Sequence, residues 1–213
     1  MRVLVLHNSY NVAGGEEVAV EQEIRMLRDQ GNQVALYAVS NPAIHPRPLL
    51  EQLALARTAL WSKDSYYKVF EMCRDFEPDI AHVHNFWMTL TPSVHKACHD
   101  AGVPTVQTLH NYRLVCLNAV MLRNGRMCQD CVGALPWRGV VRRCYRGSAS
   151  GSATVAGMVT YHRIRDTWAQ DVDAFIAPSS YAASLLAAGR VPPDRTIVKP
   201  NRTQSNKRPG KFE

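Results

Sequence analysis

The chain has 213 residues, 46% of them apolar and 20% charged. These are ordinary shares for a globular protein long enough to bury about 70% of its unfolded surface, and they exclude a disordered chain, a collagen-like repeat or a small disulfide scaffold. No apolar run approaches the ~20 residues of a membrane-spanning helix, and the opening run Val3–Leu6 is well short of the roughly 7–15 residues of a secretory core, so a cytoplasmic protein with reduced cysteines is expected.

Arg2–His7 has the uninterrupted, β-branched character of a buried parallel strand. A polar loop follows from Asn8 to Gly15. Glu16–Gln30 carries apolar residues at helical spacing and stops at Gly31, where a C-cap glycine belongs. Gln33–Val39 predicts a second strand, which completes a β-loop-α-β unit whose acidic first helical turn, Glu16 and Glu17, suits the helix dipole. Pro42, Pro46 and Pro48 mark an irregular link. Leu49, Leu50, Leu53, Ala56, Leu60 and Trp61 then fall at three-to-four spacing and predict a helix packing on the core, with a membrane-surface helix as the second reading.

Ser65–Phe76 predicts another helix, ended by Pro78. Asp79–Asn85 is a predicted strand, Pro92–Ala101 a helix closed by Gly102, and Val103–Leu109 a strand that delivers His110 and Asn111 at its carboxyl end. Residues 113–146 interrupt the pattern. A helix of about 20 residues resumes it from Ser148. Asp173–Ala177 predicts a strand, Ser179 an N-cap, Tyr181–Ala188 a helix and Thr196–Lys199 a last strand. This alternation predicts an α/β fold, a doubly wound parallel sheet of Rossmann-like character with a cysteine-rich insert. The polar, aperiodic stretch 202–213 reads as a basic, disordered tail.

The net charge of +7 is uneven. Between Arg113 and Arg146 seven arginines stand against one acid, Asp130; from Lys199 to Glu213 five basic residues stand against one acid. The rest is slightly acidic, so nucleic acid is not the expected partner. The local patch suits phosphate, a nucleotide diphosphate or an acidic membrane surface, and equally a solvated loop.

Three groups of residues carry chemistry. Gly14 and Gly15 sit between the first strand and the first helix, where backbone N–H groups can meet a phosphate, although a tight turn with no ligand needs the same residues. The three-glycine dinucleotide fingerprint is absent, which argues against a nicotinamide-dependent enzyme. His82, His84 and His110 fall at or near carboxyl ends of parallel strands, the edge where such sheets bind ligands. No carboxylate is fixed near them by sequence, so a metal site there ranks low. Cys116, Cys128, Cys131 and Cys144 have the spacing C-x11-C-x2-C-x12-C; the central pair resembles one knuckle of a structural zinc site, with a disulfide or free buried thiols as the alternatives. Cys73 and Cys98 lie in helical segments and read as core.

The loop Asn11-Val-Ala-Gly-Gly-Glu16, then Asp79-Ile-Ala-His-Val-His-Asn85, Thr108-Leu-His-Asn-Tyr112, Ala177-Pro-Ser179 and Val198-Lys-Pro-Asn201 occur in order. Together they resemble the N-terminal domain, about residues 1–201, of a glycosyltransferase family 4 enzyme of the GT-B fold. The resemblance implies a retaining transfer of a sugar from a nucleotide-sugar donor to a glycan or lipid-linked acceptor, with no catalytic cofactor. It places Gly14 and Gly15 beside the donor diphosphate and makes His110 the catalytic histidine at the donor sugar. His84, Asn85 and Asn111 would form the acceptor rim, and Ser179 would open a helix near the interdomain crevice. The family's donor-binding Glu-x7-Glu element has no counterpart here, and Lys207, Arg208 and Lys211 of the tail take none of its roles. The expectation is therefore an acceptor-side half that is inactive alone, working in polysaccharide or glycolipid assembly and peripheral to the inner membrane face. The alternative is a non-catalytic module whose Cys/Arg-rich segment grips an anionic partner.

Overall fold

The chain is described by a computed structural model over residues 1–9, 14–41 and 48–200. Loop residues 11–13, Pro42, Pro46 and the expected tail at 202–213 lie outside the described residues. In chain order the elements are β1 (Arg2–Ser9), α1 (Gly15–Asp29), β2 (Gln33–Ser40), α2 (Leu49–Leu60), α3 (Lys63–Phe76), β3 (Ile80–Asn85), α4 (Ser93–Asp100) and β4 (Thr105–Thr108). Then come β5 (Leu122–Arg123), β6 (Arg126–Met127), α5 (Trp137–Val141), α6 (Ala149–Ile164), α7 (Thr167–Gln170), β7 (Ala174–Ala177), α8 (Ser180–Ala187) and β8 (Thr196–Val198).

Six strands form one sheet in the order β2-β1-β3-β4-β7-β8, with every neighbouring pair parallel. This is the doubly wound arrangement that the alternating pattern predicts. The order reverses between β1 and β3, neighbours in the sheet with β2 on the outer side of β1. Such a switch point opens a crevice at the carboxyl ends of the strands, because the connections leave the two strands toward opposite faces.

Alternation along β1 and β3 sorts their residues between two cores. Val3 and Val5 pack with Val20 and Ile24 of α1, and Ile80 joins them. Leu4, Leu6, Ala81 and Val83 face the other way into the larger core, which α3, α4, α6 and α8 fill with Val69, Val94, Met158 and Leu186. Buried Cys73 and Cys98 meet there as expected, their sulfurs 4.0 Å apart.

Two expectations change. The long helix after Ser148 is two helices, because Asp166 takes a left-handed conformation (φ 54°) between α6 and α7. The apolar face of α2 enters the core only at its end: Ala59 is buried, whereas Leu50 and Leu53 are exposed. The segment from Arg113 to Arg146 adds a hairpin, β5–β6, and the short α5. Asn124 and Gly125 make its turn with φ of 49° and 73°, the left-handed pair that a two-residue hairpin loop requires.

Candidate functional site

The row of residues that faces α1 starts apolar and ends polar. After Val3 and Val5 comes His7; after Ile80 come His82 and His84. The pairing of β1 with β3 passes from Leu6↔Val83 to His7↔Asn85, so His84 is an extra residue at the switch point, the kind of bulge that re-aims a side chain at a site. His110 follows β4. Its Nε2 lies 3.0 Å from Nδ1 of His84, and the two rings stack with centroids 5.3 Å apart. The His82 and His84 rings are 4.1 Å apart, and His7 meets His84 edge-on at 6.4 Å.

Glu23 of α1 lies under this cluster. Its Oε1 is 2.7 Å from His82 Nδ1 and 3.8 Å from His84 Nε2, and its Oε2 is 3.7 Å from Lys199 Nζ just past β8. His82 Nε2 is also 2.7 Å from Thr108 Oγ1, so both of its ring nitrogens are engaged. Glu23, His82 and His84 offer ligand atoms within 4.8 Å of one another. They could hold a metal ion, yet the His82 contacts already account for their closeness through ordinary hydrogen bonds. Both nitrogens of His7 and Nε2 of His84 are buried without a hydrogen-bond partner. Unmet hydrogen-bonding capacity of this kind costs about 1–3 kcal/mol per group, so it marks a place where a polar ligand would be favoured.

Burial disfavours the charged form of His7, His84 and His110. It pushes His110 down to about 4, helped by the neighbouring His7 and His82, and holds His84 well below its ordinary value. Burial also lowers His7, partly opposed by Glu17, whose Oε1 is 3.9 Å from His7 Nε2. For Glu23 burial pulls upward, but the His82 hydrogen bond and the charges of His82, Lys199 and His110 outweigh it, so the carboxyl stays low. The edge therefore presents His7, His84 and His110 biased toward the neutral form beside an ionised Glu23 carboxylate.

The model of glycosyltransferase family 4 matches residues 13–202. The chain belongs to glycosyltransferase family 4. No curated protein matches it. Among solved structures it is similar to S. aureus MnaA in a co-structure with UDP: 12% identity, TM-score 0.48, over 92% of this chain and 43% of the other. It is also similar to Alr3699/HepE of Anabaena in complex with UDP (15%, 0.47, 94% and 44%) and to a UDP-N-acetylglucosamine 2-epimerase from Rickettsia bellii (11%, 0.47, 94% and 45%). The chain spans less than half the length of each.

In this family 4 domain the residues singled out from sequence reach the same sheet edge by different routes. His84 and His110 touch. Asn85 ends β3, but its amide is used internally: Nδ2 donates to the Asn8 carbonyl at 2.8 Å and Oδ1 accepts from Trp87 N–H at 3.0 Å. Asn111 Oδ1 accepts from Arg113 N–H at 3.0 Å and shapes the turn after β4. A small cavity beside them is lined by His84, Trp87, Gln107, His110, Asn111 and Arg113, among others. Ser179 caps α8, its Oγ accepting from Ala182 N–H at 3.1 Å. Gly14 is the N-cap of α1, and its N–H already donates to Glu17 Oε2 at 2.8 Å. An anionic ligand at that helix end therefore also meets the acids of its first turn.

Glu23, His7 and Lys199 were not foreseen as site residues. A signal for Glu23 was present: Val20, Glu23, Ile24 and Leu27 share one helical face, and a carboxylate within an apolar stripe needs a buried partner. The four cysteines come from four places in the segment and line one cavity of about 20 Å³ together with Asn118, Arg123 and Arg142. No three of their sulfurs lie within 4.8 Å of one another.

Proposed function

We propose that this chain forms the acceptor side of a retaining glycosyltransferase cleft. A nucleotide-sugar donor, its nucleotide held by a second unit facing this edge, passes its sugar to a hydroxyl of a glycan or lipid-linked acceptor. The observation that carries the reading is the set of neutral imidazoles, with unpartnered nitrogens, at the switch point of a family 4 domain. With its Nε2 engaged by His84, a neutral His110 offers Nδ1 to a sugar hydroxyl as donor or acceptor according to its tautomer, without adding charge near the reacting centre. His84, Asn85 and Asn111 shape the acceptor rim, while Gly14 and Gly15 approach the diphosphate and Ser179 sits at the crevice. Catalysis of this kind rests on holding the leaving diphosphate and orienting the acceptor hydroxyl. It calls for no catalytic metal or organic cofactor from these residues.

Among the described residues no helix is long and apolar enough to cross a membrane. The Cys/Arg-rich segment does expose Leu135, Trp137 and Val141 among its arginines. That composition supports a cytoplasmic protein in peripheral contact with the inner membrane face, where lipid-linked acceptors lie.

Amide chemical-shift mapping of the 213-residue chain tests the proposal, using nucleotide diphosphate sugars and lipid-linked or free glycans as probes. Shifts at His84, His110 and Asn111 with an acceptor glycan are the expected result. Shifts confined to residues 113–146, with anionic probes alone, would overturn it in favour of the binding-module reading.

A further inference from the structure

We propose that Cys116, Cys128, Cys131 and Cys144 bind one structural zinc ion, which fastens the Arg113–Arg146 segment to the wall of the histidine cleft. The donor set is the first argument. Four thiols, from Cys116, the Cys128–Cys131 pair and Cys144, line a single cavity whose size suits one small ion, and tetrathiolate coordination is a closed structural arrangement for zinc. Each cysteine is placed by local backbone geometry. Cys116 ends a turn in which its N–H bonds the Tyr112 carbonyl at 2.8 Å, and the Asn118 side chain then accepts from Val120 and Met121 N–H groups. Cys128 leaves the β5–β6 hairpin, its N–H bonding the Met121 carbonyl at 2.9 Å. Cys131 is followed two residues later by Gly133 in the left-handed region (φ 68°). The Cys144 N–H returns to the Gly139 carbonyl at 2.9 Å. Because no three of the sulfurs lie within 4.8 Å of one another, binding requires the thiols to turn toward the cavity they share, Cys116 giving up its hydrogen bond to Asn118 Oδ1 at 2.9 Å.

Charge is the second argument. Binding takes one zinc dication and releases the four thiol protons to solvent, which leaves a doubly negative centre. Arg123 and Arg142 line the same cavity; Arg142 is already paired with Asp130, so the offset falls mainly to Arg123. Two disulfides would need none of these cations.

The third argument is the thinness of the segment. Ala119, Met121, Asn124, Arg143 and Arg146 all hold positive φ, between 49° and 66°. Non-glycine residues in this region cost of order 1–2 kcal/mol each and persist only where the surroundings over-determine them. Its inner residues Leu114, Val115, Leu117 and Met121 are buried in the main core, but Leu122, Met127, Leu135, Trp137 and Val141 face outward, so the hairpin and α5 beyond them are packed on one side only. A metal staple is the usual remedy for a small unit of this kind.

The staple has a consequence for the cleft. Tyr145, next to Cys144, accepts a hydrogen bond from Trp87 Nε1 at 3.1 Å, and the Arg113 guanidinium lies over both rings at 5.8 and 5.2 Å. Trp87 and Arg113 line the cavity beside His110. Zinc would hold that wall in place.

The test is metal analysis of the 213-residue chain, expressed with zinc in the medium and purified without chelator. About one equivalent of zinc is expected. Exchange for cobalt should give thiolate-to-cobalt charge-transfer bands with the intense visible absorption of a tetrahedral site. The double variant Cys128→Ser/Cys131→Ser should lose the metal, and His82→Gln should keep it. Less than about a tenth of an equivalent in the parent protein would overturn the proposal. So would an intact mass showing two disulfides, or metal that leaves with His82→Gln and survives the cysteine change, since it would then belong to the Glu23 cluster. Should the cysteine variant fail to fold, the cobalt spectrum of the parent decides, because nitrogen and carboxylate ligands give no thiolate charge-transfer band.

Discussion

His82 Nδ1 and Glu23 Oε1 lie 2.7 Å apart, joining α1 to β3 beneath the histidine cluster. Both side chains are largely buried, and Lys199 approaches the other carboxylate oxygen from the far end of the sheet. Glu23→Gln keeps the shape and removes the charge. A loss of about 1.5–3 kcal/mol is expected, the range for a hydrogen bond to a charged group, measured as a lower urea midpoint. The folded Glu23 carboxyl lies below its ordinary value, so its contribution is present above the unfolded carboxylate pKa and is lost as pH falls through the folded one. Parent and variant curves should therefore converge in acid.

The histidines predict an acid sensitivity at higher pH. Burial pushes His95, His110 and His162 each down to about 4. Between that value and the ordinary 6.5 the unfolded chain binds protons that the folded chain refuses, so stability rises with pH through this window and falls as acid is added. The melting temperature should hold above pH 7 and drop steadily from pH 6.5 toward 4.5. A flat profile over that window would mean that these imidazoles accept protons in place.

The doubly wound parallel sheet was legible because apolar strand segments alternate with helical ones, and parallel strands require crossover helices. His84 and His110 could be placed at one edge for the same reason. The chemistry that α1 brings was not legible. The apolar stripe that holds Glu23 shows that it needs a buried partner, but not that the partner is His82, a contact across 59 positions of sequence that no local pattern encodes. Lys199 reaches Glu23 from the last strand. The core-packing reading of α2 failed at Leu50 and Leu53 because spacing reports an apolar face, not whether anything covers it. The four cysteines could be grouped by spacing, but their common cavity depends on turns at left-handed Ala119, Met121 and Arg143, residue types that carry no turn signal.

Packing of the segment against the body can be tested apart from any ligand. A Cβ on Gly189 would stand 2.4 Å from Val115 Cγ1 and 3.1 Å from the Leu186 carbonyl oxygen, and one on Gly139 would stand 2.6 Å from Leu117 Cδ1. Val115 and Leu117 are almost fully buried and cannot swing aside. Gly189→Ala and Gly139→Ala should each cost about 1–3 kcal/mol through overpacking. Gly15→Ala, which meets nothing within 4 Å, should leave the denaturation midpoint nearly unchanged. Equal effects at the three positions would show that helix propensity rather than space decides.

His110→Ala should separate function from fold. The ring is half-buried at the cleft, and both its hydrogen bond and its ring stacking are to His84, so its loss removes contacts to one neighbour and no core volume. On the proposed glycosyltransferase reading, sugar transfer should fall by roughly 10²–10³, the effect of removing one well-placed polar group near a reacting centre, with a melting temperature within a few degrees of the parent. A change confined to KM for the acceptor would move the residue from catalysis to binding.

The outer face of the segment makes the last prediction. Trp137, Leu135, Val141, Leu122 and Met127 are exposed there among Arg123, Arg126, Arg138, Arg143 and Arg146, and the Arg138 guanidinium covers the Trp137 ring at 5.5 Å. Basic residues near an anionic bilayer contribute about 1 kcal/mol each, and tryptophan favours the headgroup level. The chain should sediment with vesicles rich in phosphatidylserine and not with phosphatidylcholine alone, and Trp emission should shift to the blue on binding. Arg138→Glu/Arg143→Glu should weaken the partition tenfold or more, because each reversal replaces an attraction with a repulsion. Raising the salt should weaken it too, as the attraction is screened within about 10 Å at 0.1 M. Binding to neutral and anionic vesicles alike, or binding insensitive to both changes, would assign this face to a protein partner instead.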